Sequence, residues 1–290
     1  MEVQTRGQRI FKFVSMGFLL LVLVALYAPL LVMTSLSFTE DQTSTFPPTD
    51  LSLISYEKLL HPDRIELFTI AGEPITDYWG PLQLSLVLGV LTAVVATVLG
   101  LSAAVAFRQQ FRGRNSLFFV LLLGMIAPGI VVGLGIRLLA TAIELEPRWY
   151  TTGLLVHVGW TLPFSFVIFM IFLNRFDRQI EEAASMLGAT ALQVFRHVTL
   201  PILRPAVLAS LLFGFTLSFD ELQRSALALG QDISLPRALV SVTTIRVTPV
   251  VYSLGAIIAI ASLALVLVYL IMFERDAKKL YVPVAEKDDE

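Results

Sequence analysis

The feature that most narrows what this chain can fold into is an apolar run, long enough to cross a lipid bilayer, that recurs six times along 290 residues. A helix rises about 1.5 Å per residue and the hydrocarbon core is about 30 Å thick, so a crossing needs about 20 mostly apolar residues. The runs occupy residues 13–36, 81–107, 117–141, 151–173, 205–219 and 250–273, the fifth being the shortest. They are continuous and rich in Leu, Val, Ala and Phe, where a membrane barrel would show short alternating strands, so they predict helices. With 56% hydrophobic residues, 15% charged and a mean hydropathy of +0.77, the chain is too apolar for a soluble domain. The runs are spread from end to end, which predicts one all-α membrane domain over residues 1–290.

The net charge of −2 says little, but the placement of Lys and Arg orients the chain. Basic residues stay on the cytoplasmic side of short loops. Arg6, Arg9 and Lys12 precede the first run, Arg108, Arg112 and Arg114 follow the second, Arg175, Arg178, Arg196 and Arg204 follow the fourth, and Arg275, Lys278, Lys279 and Lys287 follow the last. The opposite loops hold only Lys58, Arg64, Arg148, Arg224, Arg237 and Arg246. Both termini are therefore expected inside, and an even number of spans is consistent with that. The first run resembles a secretory signal in its basic start, yet it is longer than a signal core and has no small-residue cleavage site, so it reads as a retained anchor.

Several chemistries are excluded. The chain has no cysteine, hence no disulfide, thiolate metal site or cysteine nucleophile. It has no Gly-Lys pair, hence no standard phosphate cradle for ATP, and no Gly-x-Ser-x-Gly elbow. His61, His157 and His197 lie far apart without ligand spacing, so no metal site is expected. Topology accounts for the basic loops, which leaves no nucleic-acid footprint.

The most informative segment is the loop 174–204, NRFDRQIEEAASMLGATALQVFRHVTLPILR. Asp177 is placed to cap a helix, with Glu181 and Glu182 in early turns where the helix dipole favours acids. Gly188 stops that helix, and Thr190 with Gln193 has capping-box spacing for a second one ending before Pro201. Ala183, Ala184, Gly188 and Ala189 are small enough for a close partner, while Met186, Leu187 and Phe195 are apolar residues in a loop that should face water. Something docks there, or the loop packs under the membrane domain.

The run Glu182-Ala183-Ala184, three residues, Gly188, nine residues, Val198, one residue, Leu200-Pro201 resembles the EAA signature of binding-protein-dependent ABC importer permeases. The one departure is Val198, where that family more often has isoleucine. The resemblance implies a type I permease fold in a bacterial inner membrane, with Glu182, Ala183, Ala184, Met186, Leu187, Gly188 and Ala189 forming a coupling helix that fits a cleft in a separate ATPase. It further implies two ATPase subunits that bind ATP and Mg, a second permease subunit, and a periplasmic binding protein delivering a solute, with no cofactor in this chain. The runs FTLSFDE, ending at Glu221, and SLPRAL, around Pro236, are similar to the second permease of spermidine/putrescine-type importers. The stretch LQRSALALG departs from the more aliphatic and aromatic run of that group, whose wider relatives carry opines, phosphonates, iron or thiamine.

Asp220 and Glu221, at the outer end of the fifth run, are candidates for a cation-selecting pair, with solvated edge acids as the plain alternative. Glu221 could instead pair with Arg224 at helical spacing. The first external loop is rich in acids as well, with Glu40, Asp41, Asp50, Asp63, Glu66, Glu73 and Asp77. His157 and Trp160 could touch solute, but a hydrogen-bonded packing histidine and an interface tryptophan are the favoured reading. Arg137, inside the third run, could snorkel outward or pair with an acid such as Glu144, and pairing is the favoured reading. Two rivals are an ion-driven transporter, which calls for internal repeats or broken helices carrying ion ligands, and a non-transporting scaffold.

Overall fold

A computed structural model describes residues 6–39, 46–48, 50–61, 67–68, 74–75, 78–243 and 248–280. Glu40, Asp41, Asp63, Arg64, Glu66, Glu73, Asp77, Arg246 and Lys287 lie outside the described residues, as do the side chains of Arg6, Arg9, Arg275, Lys278 and Lys279. The elements in order are α1 (Arg6–Leu36), α2 (Ile54–Leu60), β1 (Leu67–Phe68), β2 (Pro74–Ile75), α3 (Trp79–Ala106), α4 (Arg114–Ile126), α5 (Gly129–Ala142), a π-type turn (Trp149–Gly153), α6 (Leu154–Arg175), α7 (Arg178–Met186), α8 (Ala191–Val194), a second π-type turn (Phe195–Thr199), α9 (Leu200–Ile202), α10 (Arg204–Phe219), α11 (Ser225–Ala228), α12 (Leu235–Thr243) and α13 (Pro249–Leu280). The architecture is all-α apart from the minimal antiparallel pairing of β1 with β2.

Among the described residues four helical stretches are individually long and apolar enough to cross a membrane: Phe11–Leu36, Trp79–Ala106, Trp149–Arg175 and Pro249–Met272. Two bent helix pairs also pass by length and composition, and the count reaches six if each pair is one span. The run expected over 117–141 as one span is broken: α4 and α5 meet at 104°. Each half is only about 20 Å long, short of the hydrocarbon thickness. The cause is Pro128. A proline cannot donate into the preceding turn and drives the residue before it out of the helical region, and Ala127 sits at φ −61°, ψ 126°. The other bend, of 68° at Leu203, separates α8–α9 from α10.

The chain falls into two compact units. The first, Met1–Asp77 with Ser241–Leu263, contains α1, α2 and the start of α13. Within it, Ser253 Oγ donates to the Ser37 carbonyl at 3.1 Å, and Ser37 Oγ bonds Tyr56 Oη at 2.6 Å. The second, Tyr78–Val240 with Ala264–Glu290, is built on α3, α6 and α10. Its core comprises Ala104, Phe107, Phe166, Phe169, Leu173, Leu203 and Ala206, with Phe107 and Phe166 edge-to-face at 5.0 Å. Lipid tails offer no hydrophobic drive for helices to associate, so close approach through small residues and buried hydrogen bonds holds such a bundle together. Gly100 shows the first: a Cβ there would stand 2.6 Å from Ser165 Cβ and 2.9 Å from the Phe166 amide, so α3 and α6 touch where no side chain fits. The buried Thr97 and Ser210 hydroxyls, 2.8 Å apart, show the second between α3 and α10.

Candidate functional site

The loop 174–204 folds as its local chemistry dictates. Asp177 caps α7 by accepting from the Gln179 amide at 2.9 Å. Gly188 ends it with φ +89°, a conformation L side chains rarely adopt. Thr190 and Gln193 then form a reciprocal capping box at the start of α8. The second helical stretch does not stop before Pro201 as expected. A π-type turn over Phe195–Thr199 absorbs the strain, and Pro201 takes a first-turn position in α9, where its missing N–H costs nothing.

The turn between α7 and α8 projects outward. Met186 is 83% and Leu187 90% exposed, with Ile180 and Leu192 exposed alongside. Glu182 and Ala183 are exposed as well, and Ala184 and Ala189 are half-buried. The result is a contiguous exposed apolar tip on an otherwise polar loop.

Glu181, which the sequence presents only as a dipole-favoured acid, fastens this loop to the bundle. Its carboxylate accepts from Arg108 Nη1 at 2.9 Å and lies 2.7 Å from Nη2, just beyond the end of α3, and it also accepts from the Thr199 hydroxyl. Burial alone would raise the Glu181 carboxyl, but the hydrogen bonds from Arg108 and Thr199 and the charges of Arg108 and Arg178 outweigh it and hold the group below the ordinary carboxylate range. Arg108 in turn lies over the Phe176 ring at 5.7 Å.

A second polar constellation surrounds the break in the third run. Glu221 and Arg224 form a buried pair, with Nη1 2.7 Å from Oε2 and side-chain exposures of 8% and 6%. The Arg224 amide donates to Glu221 Oε1 at 2.9 Å, Nη2 donates to the Ala127 carbonyl at 3.2 Å, and the guanidinium lies 3.8 Å from the centre of the Trp160 ring. Glycines admit the segment into the break: a Cβ on Gly129 would meet Arg224 Nη1 at 3.0 Å, and one on Gly133 the Arg224 carbonyl at 3.1 Å. His157 is 1% exposed, and both its ring nitrogens are engaged, Nδ1 with Ser218 Oγ at 2.7 Å and Nε2 with Ser225 Oγ at 3.0 Å. Asp220 is the exposed acid of the group, its carboxyl raised by partial burial and then by the Glu221 charge. Arg137 is exposed, and the expected ion pair with Glu144 does not form. Glu144 terminates α5 with φ +56°, and the Thr141 hydroxyl bonds the Arg137 carbonyl at 3.0 Å. No cluster of metal-ligating side chains occurs among the described residues.

The site thus lies on a bundle of apolar helices whose loop 174–204 exposes an apolar tip. Residues 96–280 match the family of binding-protein-dependent transport system inner membrane components, and the chain belongs to that family. It is 30% identical over 256 residues to the spermidine/putrescine transport system permease protein PotC of Haemophilus influenzae, spanning 88% of this chain and 94% of that one. To the putrescine transport system permease protein PotI of Escherichia coli K12 it is 32% identical over 248 residues, 83% of each chain. Its fold matches a chain in the crystal structure of a bacterial ABC transporter involved in the import of the acidic polysaccharide alginate, at TM-score 0.62, 19% identity and 98% and 100% coverage. The chain is thus a permease subunit of an ABC importer, membrane-embedded and not itself an enzyme. The family has no cofactor of its own.

Proposed function

We propose that the chain is the second permease of an inner-membrane importer for spermidine, putrescine or a related small cation. All 290 residues act as one transmembrane domain with both termini cytoplasmic. A related permease pairs with it, two ATPase subunits bind and hydrolyse ATP with Mg, and a periplasmic binding protein delivers the solute. The observation that carries the reading is the exposed Met186–Leu187 tip beside a left-handed Gly188, on a loop tied to the bundle through Glu181. Residues 182–189 are the ATPase contact, and closure of the ATPases moves this loop and with it α3 and α6. The substrates in the relatives' names support a cationic solute. So does Asp220: with Glu221 committed to Arg224, it is the carboxylate of this group left to meet a solute.

The test is Gly188→Asp in the assembled transporter. A charge at a contact built from small residues should leave the permease inserted while abolishing ATPase co-purification and uptake. Normal uptake by that variant refutes the coupling role. Putrescine-loaded binding protein should stimulate ATP hydrolysis in reconstituted wild type, and stimulation by none of the polyamines refutes the substrate class.

A further inference from the structure

The guanidinium of Arg224 occupies a setting built for an organic cation. A buried carboxylate stands on one side at 2.7 Å, the Ala127 carbonyl on another at 3.2 Å, and the face of Trp160 covers it at 3.8 Å. Carboxylate, carbonyl and aromatic face together are how proteins hold ammonium and guanidinium groups away from water. The Ala127 carbonyl is on offer because the helix ends there and Pro128 follows.

The cage adjoins a cavity of about 480 Å³, within the range that holds small ligands. Its wall includes Arg224, Trp160 and Ala127 together with the apolar or small Gly135, Leu139 and Val156. A mostly apolar cavity with one charged side chain in its wall fits a molecule with a methylene body and a cationic terminus. Arg224 belongs to the short connection between α10 and α11, so its flexible side chain can leave without moving a helix. It cannot leave alone, because that strands Glu221 as an unpaired charge in a low-dielectric site. Exchange for another cation keeps the pairing intact, whereas a neutral or anionic solute offers no replacement.

We propose that this cage is a cation-exchange site: Arg224 fills it when the permease is unloaded, and the terminal ammonium of a passing solute takes its place on Trp160 and Glu221. The proposal rests on the cationic-solute reading above and turns the Glu221–Arg224 pair from a structural ion pair into a selectivity element.

The experiment follows tryptophan emission of the complete transporter in nanodiscs, with a Trp160→Phe version as blank. It is titrated with putrescine, with ethylguanidinium and with the neutral 1,4-butanediol. Both cations should give a saturable change specific to Trp160, and the diol none. Glu221→Gln should raise the half-saturating cation concentration at least tenfold. Arg224→Met, which removes the tethered competitor, should lower it at least tenfold; if that variant does not assemble, the wild-type titration decides. A Trp160 silent to both cations in a complex that hydrolyses ATP overturns the proposal, as does an equal response to the diol. Putrescine uptake with a silent Trp160 overturns the cage and leaves the polyamine reading standing. A Trp160 response to ethylguanidinium without any polyamine uptake sustains the cage and removes the polyamine reading.

Discussion

Replacing Glu181 by alanine should uncouple this permease without unfolding it. The carboxylate holds α7 to the end of α3 through Arg108 and to the second half of the loop through Thr199, and the ion pair is 15% and 19% exposed. Two unit charges about 4 Å apart attract by about 4 kcal/mol at an effective dielectric of 20. Desolvation offsets much of that, so a net contribution of about 1–3 kcal/mol remains for hydrogen bonds to charged groups. Losing about 2 kcal/mol multiplies the population of detached loop by roughly 30, since each 1.4 kcal/mol is tenfold. The exposed Met186–Leu187 tip, the proposed ATPase contact, is untouched by the substitution. Basal ATP hydrolysis should therefore persist while solute moved per ATP falls roughly tenfold, measured in proteoliposomes with the cognate binding protein. In a double-mutant cycle with Arg108→Ala the two losses should overlap, not add. An unchanged transport ratio in Glu181→Ala, or strict additivity in the cycle, refutes the tether. The pH dependence has a definite sign. The folded Glu181 value is depressed, so the tether is fully present above the ordinary carboxylate value of about 4.3 and is lost only as pH falls through the folded value. Coupling should not vary through Glu181 between pH 5 and 8.

Three further outcomes are expected. Asp220→Asn should lower uptake of a polyamine while leaving insertion and basal ATPase activity intact; because the Asp220 carboxyl is raised, its ionisation at neutral pH works against the fold, and the variant should melt no lower than wild type at pH 7, whereas unchanged uptake kinetics would make Asp220 a bystander. Gly100→Leu puts a side chain where even its Cβ would stand 2.6 Å from Ser165 Cβ and should destabilise the α3–α6 packing by about 1–3 kcal/mol, read as a lower melting temperature in detergent; an unshifted melt refutes the close approach. Reporter fusions after Arg114 and Lys279 should report cytoplasm and fusions near Asp63 periplasm, and a cytoplasmic signal near Asp63 sinks the topology.

What could be read beforehand was what is local. Asp177, Gly188, Thr190 and Gln193 act on backbone within three residues, so the course of the loop follows from their order along the chain. The apolar runs are read by counting. The break at Pro128 was equally local, written as Gly124, Ala127, Pro128 and Gly129, but a continuous hydropathy count runs over it because proline inside an apolar run hardly lowers the average. Non-local pairings leave no such trace. Arg108 and Glu181 stand 73 residues apart, and Arg224 and Ala127 97 apart, so nothing in the spacing joins them. The glutamate of the signature that drew the eye, Glu182, is the exposed one, and its neighbour Glu181 faces the bundle because successive residues on a helix point about 100° apart.

These contacts also determine where a push on the loop can go. The Met186–Leu187 tip leads through α7 to Glu181 and so to Arg108 just beyond the end of α3. At Gly100, α3 lies against Ser165 and Phe166 with no room to slide, so α3 and α6 must move together. Helix α6 also carries His157 and Trp160, and His157 is bonded to both Ser218 and Ser225 on either side of the Asp220–Arg224 connection. The compliant joints lie elsewhere: at Phe176, extended with ψ 127°, and at the 68° bend around Leu203. A loop displaced by an ATPase would therefore rotate about those two joints and carry α3 with α6 as one body. The first polar contacts strained by that rotation are those joining α6 to the connection that holds Arg224, so a push on the loop and a solute at the Trp160 cage act on the same connection.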